Sequence, residues 1–247
     1  MQKEVIRRYM RKTLEYHFNP EISQKNGTFF ETCCFSPTTC KEKQAGLLYL
    51  IAESEGRSDL IKELFQIIEQ EFYQNGFQTA LDKTNEFINQ NNLTSLHLAI
   101  LALSYPYKIR VSKIGKIKIL LLRNEVVFDV ISELDNQGLF KFIEGNLQKN
   151  DKLIFLTNSI FNVFLKYKVL AKIAQRNEKE LKTFFKENKT FFQTICGTLI
   201  IAFIKKAPWP LFLKKPKGPL PPPSKLEKGV IAAILLVILL LLGYLLF

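Results

Sequence analysis

The chain has 247 residues, 47% of which are hydrophobic, and a formal net charge of +12. The hydrophobic content is enough for one sizeable core with length left over, which excludes a chain too polar to fold. The positive charge points to an anionic partner, and its position along the chain decides which one.

The first predicted elements are a strand and two helices. An apolar run at residues 46–52 is typical of a buried strand. In the next segment apolar side chains recur at three- and four-residue spacing, which predicts a helix that begins with a cap at Ser58 or Asp59 and ends at Asn75 and Gly76. A second helix is predicted at residues 77–89. Two successive helices indicate an antiparallel hairpin packed on a sheet.

The second half of the domain is predicted to be mainly strands, followed by helices. The patterns predict strands at 95–103, 107–111, 117–122, 126–130 and 153–156, helices at 160–174 and 178–187, and a last strand at 198–204. The strands from 107 to 130 have the spacing of a β-meander. We therefore predict an α+β domain, residues 1–204, in which helix pairs cover antiparallel sheets.

The C-terminal part of the chain differs in composition. Residues 205–229 contain seven of the ten prolines, which favours a semi-rigid, extended linker. Residues 230–247 carry no charge. As a helix they would be about 27 Å long, close to the thickness of a bilayer's hydrocarbon core. We therefore predict a transmembrane helix at 230–247.

The linker is rich in lysine. Its basic residues are Lys205, Lys206, Lys214, Lys215, Lys217, Lys225 and Lys228, against the single acid Glu227, so that seven minus one, or six, of the twelve net charges lie beside the predicted span. An anionic lipid surface attracts such a cluster by about 1 kcal/mol per lysine. A topology signal alone would explain it equally well. No base-stacking aromatic pattern accompanies these lysines, so we expect lipid rather than nucleic acid as the partner.

The N-terminus predicts the orientation in the membrane. Its first residues, MQKEVIRRYMRK, are charged and lack the apolar stretch of a signal peptide. We therefore expect a single-pass, tail-anchored protein whose N-terminal domain lies in the cytoplasm.

The cysteines and histidines give no metal-site pattern. A cytoplasmic location favours free thiols, and the spacing of Cys33, Cys34 and Cys40 lacks the paired knuckles of a zinc site. His17 and His97 are far apart in the sequence. His97 lies in an apolar run, which is typical of a core histidine with satisfied hydrogen bonds.

Five segments match the motifs of one family, in the family's order. IAESEG at 51–56 stands where the family reads V-A-D-G-x-G-G, and LTS at 93–95 where it reads G-T-T. IGKIKILLLR at 114–123 matches V-G-D-S-R-x-Y-L-x-R, DKLIFLTNSIFNVF at 151–164 matches D-x-L-L-L-x-S-D-G-L-x-x-x-L, and ICGT at 195–198 matches D-N-x-T before an apolar strand. From about residue 46 to 204 the chain resembles the PPM, or PP2C-type, protein phosphatase domain. The resemblance implies an α-β-β-α layered sandwich.

The resemblance also implies a metal site, and the acids of that site are replaced here. In the family, carboxylates hold two divalent metals that activate a water for attack on phosphoserine or phosphothreonine. The matching positions are Glu53, Asn158 and Ile195, while Lys116 replaces a further acid. Hard cations need several anionic oxygens, so the resemblance implies no catalytic residue, no bound metal and a vestigial cleft formed by Glu53, Lys116 and Asn158. An early acid of the family would fall at 41–45, where only Glu42 is acidic.

Three functions remain open from the sequence. The favoured one is a membrane-anchored pseudophosphatase that acts as a cytoplasmic binding or regulatory module for an unknown protein partner. The second is a divergent, active serine/threonine phosphatase that uses Mg²⁺ or Mn²⁺ and rebuilds its site from other acids, namely Glu42, Glu53, Glu55 and Asp59. The third is a purely structural membrane adaptor that works through its lysine-rich linker. Lys116 and Lys118 would either attract a phosphate in the cleft or simply be solvated.

Overall fold

A computed structural model describes residues 12–37, 45–104, 107–131 and 142–205. The chain divides into two units, Met1–Ala207 and Pro208–Phe247. The described strands are β1 Lys12–Phe18, β2 Thr28–Phe35, β3 Leu47–Glu55, β4 His97–Ser104, β5 Lys108–Ile114, β6 Lys118–Arg123, β7 Val126–Asp129, β8 Phe142–Asn146, β9 Lys152–Leu156 and β10 Gly197–Phe203. The described helices are α1 Pro20–Lys25, α2 Ser58–Asn75, α3 Phe77–Gln90, α4 Asn158–Lys166, α5 Val169–Gln175, α6 Glu178–Glu187 and α7 Lys189–Phe192.

The strands form two five-stranded antiparallel sheets. Sheet one has the order β1-β10-β9-β6-β7, and sheet two has the order β2-β3-β4-β5-β8. Because side chains alternate along a strand, one strand can contribute residues to the apolar layers on both of its faces. In β3, Leu48 and Leu50 pack under α2 and α3, while Tyr49 and Ile51 pack between the sheets. Helices α4 to α7 cover the outer face of sheet one. The predicted sandwich of antiparallel sheets between helix layers is confirmed.

The predicted β-meander is wrong, because it is divided between the two sheets. Strand β5 belongs to sheet two, and the turn at residues 115–117 carries the chain across to β6 in sheet one. Sequence periodicity reports the burial of a strand and not the sheet that it joins. Both β5 and β6 have buried residues on both faces, so the crossing left no signal in the apolar pattern.

The predicted helix at 160–174 is broken into α4 and α5. Lys168 adopts a left-handed conformation with φ 55° between them. The break lets Val169 and Ile173 join the same apolar cluster as Phe164. The predicted cap of α2 is also wrong, because the capping position is Arg57, whose side chain makes no capping hydrogen bond. Strands β1, β2 and β8 and helices α1 and α7 were not predicted from the sequence.

The end of α5 is held by a lysine from the neighbouring sheet. The Lys152 ammonium, at the start of β9, donates hydrogen bonds of 2.5–2.9 Å to the backbone carbonyls of Ile173, Ala174 and Arg176. These carbonyls lie at the end of the helix, where the last acceptors have no regular partner within the helix. The carbonyl of Ile173 also accepts from the backbone N–H of Arg176 at 3.3 Å. Lys152 therefore joins sheet one to its helix layer.

Several predictions fall outside the described residues. They concern the N-terminal residues 1–11, Cys40, Glu42, the linker lysines after Lys205 and the transmembrane helix at 230–247. Within the described ranges, no helix is both long enough and apolar enough to cross a membrane. Lys205 is described, and its ammonium lies 3.5 Å from a carboxylate oxygen of Glu178.

Candidate functional site

The space between the sheets becomes polar at one end. In the middle it is filled by apolar side chains such as Tyr49 and Phe155, whose rings stack at 6.0 Å. Continuing the same alternation to the strand ends places Glu53 of β3 and His97 of β4 on this inner face. Glu53, His97 and the turn residue Lys116 lie where β3 ends, β4 begins and β5 crosses to β6, and we call this region the polar end.

Glu53 and His97 are directly opposite each other on neighbouring strands. Glu53 Oε2 and His97 Nδ1 are both buried, and neither has a hydrogen-bond partner among the described residues. Burial raises the pKa of Glu53, an effect that nearby Lys116 partly opposes. Burial and then Lys116 lower the pKa of His97. Both side chains are therefore biased towards their neutral forms. The interpretation of His97 as a satisfied core histidine is wrong.

The turn between β5 and β6 lies against the histidine. Gly115 has a positive φ of 71°, and a Cβ atom at this position would collide with the ring of His97. Lys116 follows directly and is exposed. A glycine is therefore required here both for the turn and for the space that the imidazole occupies.

The other predicted site residues take different positions. Asn158 begins α4 directly after β9 and is half-buried, at the same end of the sandwich as Glu53. The Ile195 side chain packs in the apolar cluster between sheet one and its helices, and so does not face the cleft. Its backbone carbonyl accepts a hydrogen bond of 2.7 Å from the amide of Asn19. The structure thus brings Glu53, Lys116 and Asn158 to one end but turns Ile195 away.

Hydroxyl groups occupy the corner beside Asn158. Ser159 Oγ donates to the carbonyl of Cys196 at 2.7 Å, and Thr157 Oγ1 accepts from the backbone N–H of Thr198 at 3.4 Å. Gly197 makes this close approach possible, since a Cβ there would collide with Thr157. The corner is closed by neutral hydrogen bonds between the end of β9 and the start of β10.

Sequence reasoning missed a second polar cluster at the same end. The Thr32 hydroxyl donates to the carboxylate of Glu15, and His17 Nε2 lies 3.1 Å from both Thr32 Oγ1 and Glu15 Oε1. These side chains tie β1, the edge of sheet one, to β2 in sheet two. Both histidines of the chain therefore lie at this end, although their separation in sequence suggested that they were unrelated. Recognising β1 as a strand would have placed Glu15 and His17 on its inner face.

The described cysteines do not form a metal site. Cys33, Cys34 and Cys196 form no disulfide bond with one another. Burial, followed by the charge of Glu69, raises the pKa of Cys33 to about 11, which makes it a poor nucleophile. In the described part of the chain no cluster of three or more histidine, cysteine, aspartate or glutamate side chains is arranged to hold a metal ion.

A pair of divalent cations does not fit the described residues of the polar end. Two such ions close together require several carboxylates to offset their repulsion. Among the described residues at the matching positions, Glu53 is the one carboxylate, and its partial burial raises its pKa and so disfavours the anion. Asn158 provides a neutral oxygen, and Lys116 adds positive charge beside Glu53.

The opposite end of the sandwich carries a complete ion pair. Arg123 donates through Nε and Nη2 to the two carboxylate oxygens of Asp151, at 3.0 and 2.7 Å. The Asp151 side chain is 2% exposed and also accepts from the backbone N–H of Gln148 at 2.6 Å. Arg123 and Asp151 are the final arginine and the first aspartate of two motifs on which the resemblance to the phosphatase family rests.

The fold is that of PP2C-type phosphatase domains. No family model and no curated protein matches the sequence. Solved structures do match: the PP2C phosphatase domain with a regulatory fragment of SpoIIE from Bacillus subtilis (TM-score 0.59, 13% identity, 79% of this chain and 64% of that one) and the SiaA-PP2C domain of Pseudomonas aeruginosa (0.59, 11%, 82% and 89%). The RsbU and RsbW domains of a Mycobacterium tuberculosis protein match similarly (0.58, 13%, 80% and 62%).

These likenesses extend to the fold alone. This chain spans less than two thirds of the length of the SpoIIE and RsbU–RsbW structures. The confirmed part of the predicted resemblance is therefore the layered PP2C-type architecture, and the state of its site is a separate question.

Proposed function

We propose that this chain is a membrane-anchored PP2C-type pseudophosphatase, a binding or regulatory module without phosphatase activity. The observation that carries this proposal is the composition of the polar end. Glu53 is half-buried near Lys116, Asn158 has no charge, and the Ile195 side chain packs in the core. The PP2C-type architecture is present, whereas the described residues at the matching positions lack the negative charge that two divalent cations need.

Phosphate release from phosphopeptides tests this proposal. The full chain, assayed in detergent with millimolar Mn²⁺ or Mg²⁺ and a phosphothreonine peptide, should release no phosphate above the level of a Glu53→Ala variant. Metal-dependent release that Glu53→Ala abolishes would contradict the proposal.

A divergent active phosphatase is the second candidate, and one observation favours it. Glu53 Oε2 and His97 Nδ1 are buried opposite each other with no described hydrogen-bond partner, and unsatisfied buried groups often meet a ligand or an ion. This candidate requires that both Glu53→Gln and His97→Ala lower the rate of phosphate release. Under the pseudophosphatase proposal neither substitution has a rate to lower.

Membrane anchoring by residues 230–247 is part of the proposal and is supported by their uninterrupted apolar sequence. The full chain expressed in cells should stay with the membrane fraction after alkaline carbonate extraction, and a chain ending at residue 229 should not. Protease protection in sealed vesicles tests the expected cytoplasmic side, because the N-terminal domain should be digested without detergent.

A purely structural adaptor differs from the pseudophosphatase in the surface that it uses. Crosslinking in cells should map partner contacts to the polar end around Glu53 and Lys116. Contacts confined to the linker lysines would favour the adaptor instead.

A further inference from the structure

The two helix layers of the sandwich carry opposite charge. The segment of α4 to α7, which covers sheet one, has eight basic residues against three acids, namely Lys166, Lys168, Lys172, Arg176, Lys179, Lys182, Lys186 and Lys189 against Glu178, Glu180 and Glu187. The segment of α2 and α3, which covers sheet two, has two against six, namely Lys62 and Lys83 against Asp59, Glu63, Glu69, Glu71, Asp82 and Glu86. We call the first segment the basic layer and the second the acidic layer. Such an uneven charge distribution directs the basic layer towards anionic partners.

All seven lysines of the basic layer are exposed, whereas the side chains of this layer that face sheet one are apolar and buried. In α6, Lys179, Lys182 and Lys186 are three and four residues apart, so they share the face of the helix opposite the buried Leu181. Exposed lysines of this kind do not build a pocket for a small ligand. An anionic lipid surface attracts them without a pocket, because the attraction acts on each charge near the surface.

Two exposed apolar side chains lie among these lysines, at the corner between α4 and α5. The corner reads Leu165-Lys166-Tyr167-Lys168, and Leu165 is 61% and Tyr167 49% exposed. Both flanking lysines are also exposed. Tyrosine is enriched at the headgroup level of membranes, and a lysine keeps its ammonium in water while its apolar stem lies along an apolar surface. The composition of this corner fits a lipid interface.

The corner is packed before it meets any partner. The left-handed conformation of Lys168, with φ 55°, separates α4 from α5. The Tyr167 ring packs edge-on against Phe191 of α7, with the ring centres 5.0 Å apart, and the Lys166 ammonium lies 5.4 Å from the centre of the Tyr167 ring. The exposed apolar groups are therefore held in place, which lowers the ordering cost of binding.

The lysine-rich linker begins beside the basic layer. The ammonium of Lys205, the first residue of the linker, lies 3.5 Å from a carboxylate oxygen of Glu178 in α6. A chain that is anchored in a membrane through this linker keeps the basic layer at a high effective concentration near the lipid headgroups.

We propose that the basic layer docks on an anionic phospholipid surface and that Leu165 and Tyr167 insert into the lipid interface. The proposal rests on the proposed membrane anchoring and adds a contact of the folded domain itself. Anionic headgroups complement the lysines, and insertion removes the two apolar side chains from water. A nucleic acid would complement the charge but would offer no apolar medium to Leu165.

Bromine quenching of a single tryptophan in the full chain tests the proposal. The sequence contains one tryptophan, Trp209, so a chain with Trp209→Phe and Tyr167→Trp reports on the corner alone. In nanodiscs of brominated phosphatidylcholine with phosphatidylserine, this reporter should be quenched at least about threefold more than in nanodiscs without phosphatidylserine. A control chain with Trp209→Phe and Gln66→Trp, on the exposed face of α2, should show no such difference.

Equal quenching at the two positions would overturn the proposal. So would the absence of quenching at the corner in anionic nanodiscs, whether or not an RNA oligonucleotide binds the lysines. Fluorescence that changes with chain concentration but not with bromine would indicate a second copy, bound through its acidic layer, and would also overturn it.

The anchor is measured separately, as co-elution of the chain with nanodiscs in about 1 M salt, which screens surface charges. A chain that co-elutes but shows no bromine quenching keeps the anchor and contradicts the docking. A chain that is quenched at low salt but does not co-elute at high salt supports the docking and contradicts the anchor.

Matched charge reversals locate the contact. In the reporter chain, the pair Lys168→Glu and Lys172→Glu should lower the phosphatidylserine-dependent quenching at least about threefold. The control pair Lys62→Glu and Lys83→Glu makes the same charge change on exposed lysines of the acidic layer and should leave the quenching unchanged. Equal losses in both pairs would overturn the proposal. The milder pair Lys168→Gln and Lys172→Gln should also lower the quenching, and an unchanged thermal midpoint in this pair excludes misfolding as the cause.

Discussion

The two ends of the sandwich have opposite chemistry although the same strands reach both. At one end Arg123 and the buried Asp151 satisfy each other with two hydrogen bonds. At the other, Glu53 and His97 each leave a buried polar atom without a described partner. Arg123 and Asp151, which match the family motifs, form an ion pair that stabilises the fold. This difference is the one that the pseudophosphatase proposal predicts, because that proposal keeps the fold and gives up the charged metal corner.

Breaking the intact end should have the largest effect on stability. Arg123→Met leaves the Asp151 carboxylate buried without its cation, which costs on the order of 3–5 kcal/mol. Urea unfolding measures this loss. Arg110→Met removes an exposed arginine that pairs with Glu144 and should cost less than about 1 kcal/mol. Equal losses in the two variants would mean that the buried pair at this end contributes no more to stability than an exposed pair.

The lysine cap of α5 comes next in size. Lys152→Met keeps the length of the apolar stem and removes the donor to three backbone carbonyls, so about 2 kcal/mol of stability should be lost. Compared with the natural chain, the variant should show faster amide hydrogen exchange in α5, and its exchange in α2 should change less. Unchanged exchange in α5 would contradict the assigned role of the lysine.

At the polar end, Gly115→Ala should cost roughly 1–3 kcal/mol, because it adds both a strained φ and a collision with the imidazole. In a His97→Ala background the collision is absent and the cost of the strained φ remains. In a double-mutant cycle, the double variant should therefore lose less stability than the sum of the losses in the two single variants. Additive effects would mean that the histidine does not occupy the position described.

The smallest expected effect is a pH dependence that involves Glu53. Its pKa is raised above 4.5 in the folded chain, chiefly by burial, so the folded state holds the proton more tightly than the unfolded state. Stability from this group is therefore lost as pH rises from about 4.5 through the folded pKa. Glu53→Gln lacks this loss, and its stability relative to the natural chain should increase across that window. A difference that stays constant between pH 4 and pH 8 would count against a buried Glu53.

The sequence predicted the central strands better than the edges. Strands β3, β4 and β9 are continuous apolar runs because each is covered on both faces. Strand β1, KTLEYHF, was missed because its inner face carries Glu15 and His17 in place of apolar residues, and β8, FIEGN, is a partly exposed edge strand. Those inner-face residues are part of the polar cluster, so the missed strand concealed part of the candidate site.

The positions of the candidate site residues could be predicted where a matched motif includes the end of a strand or a turn. Glu53, Lys116 and Asn158 reach one end because each lies at a strand end or in a turn that the matching motif fixes. The direction of the Ile195 side chain could not be predicted from the motif. It depends on the conformation of the loop before β10, which the apolar pattern does not report.

The central claim is that a PP2C-type fold persists here without the negative charge needed to hold two divalent cations. Crystals of the chain soaked in manganese, with anomalous difference density measured at the manganese edge, test it most directly. The account predicts no pair of anomalous peaks between Glu53 and Asn158. Two peaks about 3.5–4 Å apart at that position, as in two-metal sites, would contradict it.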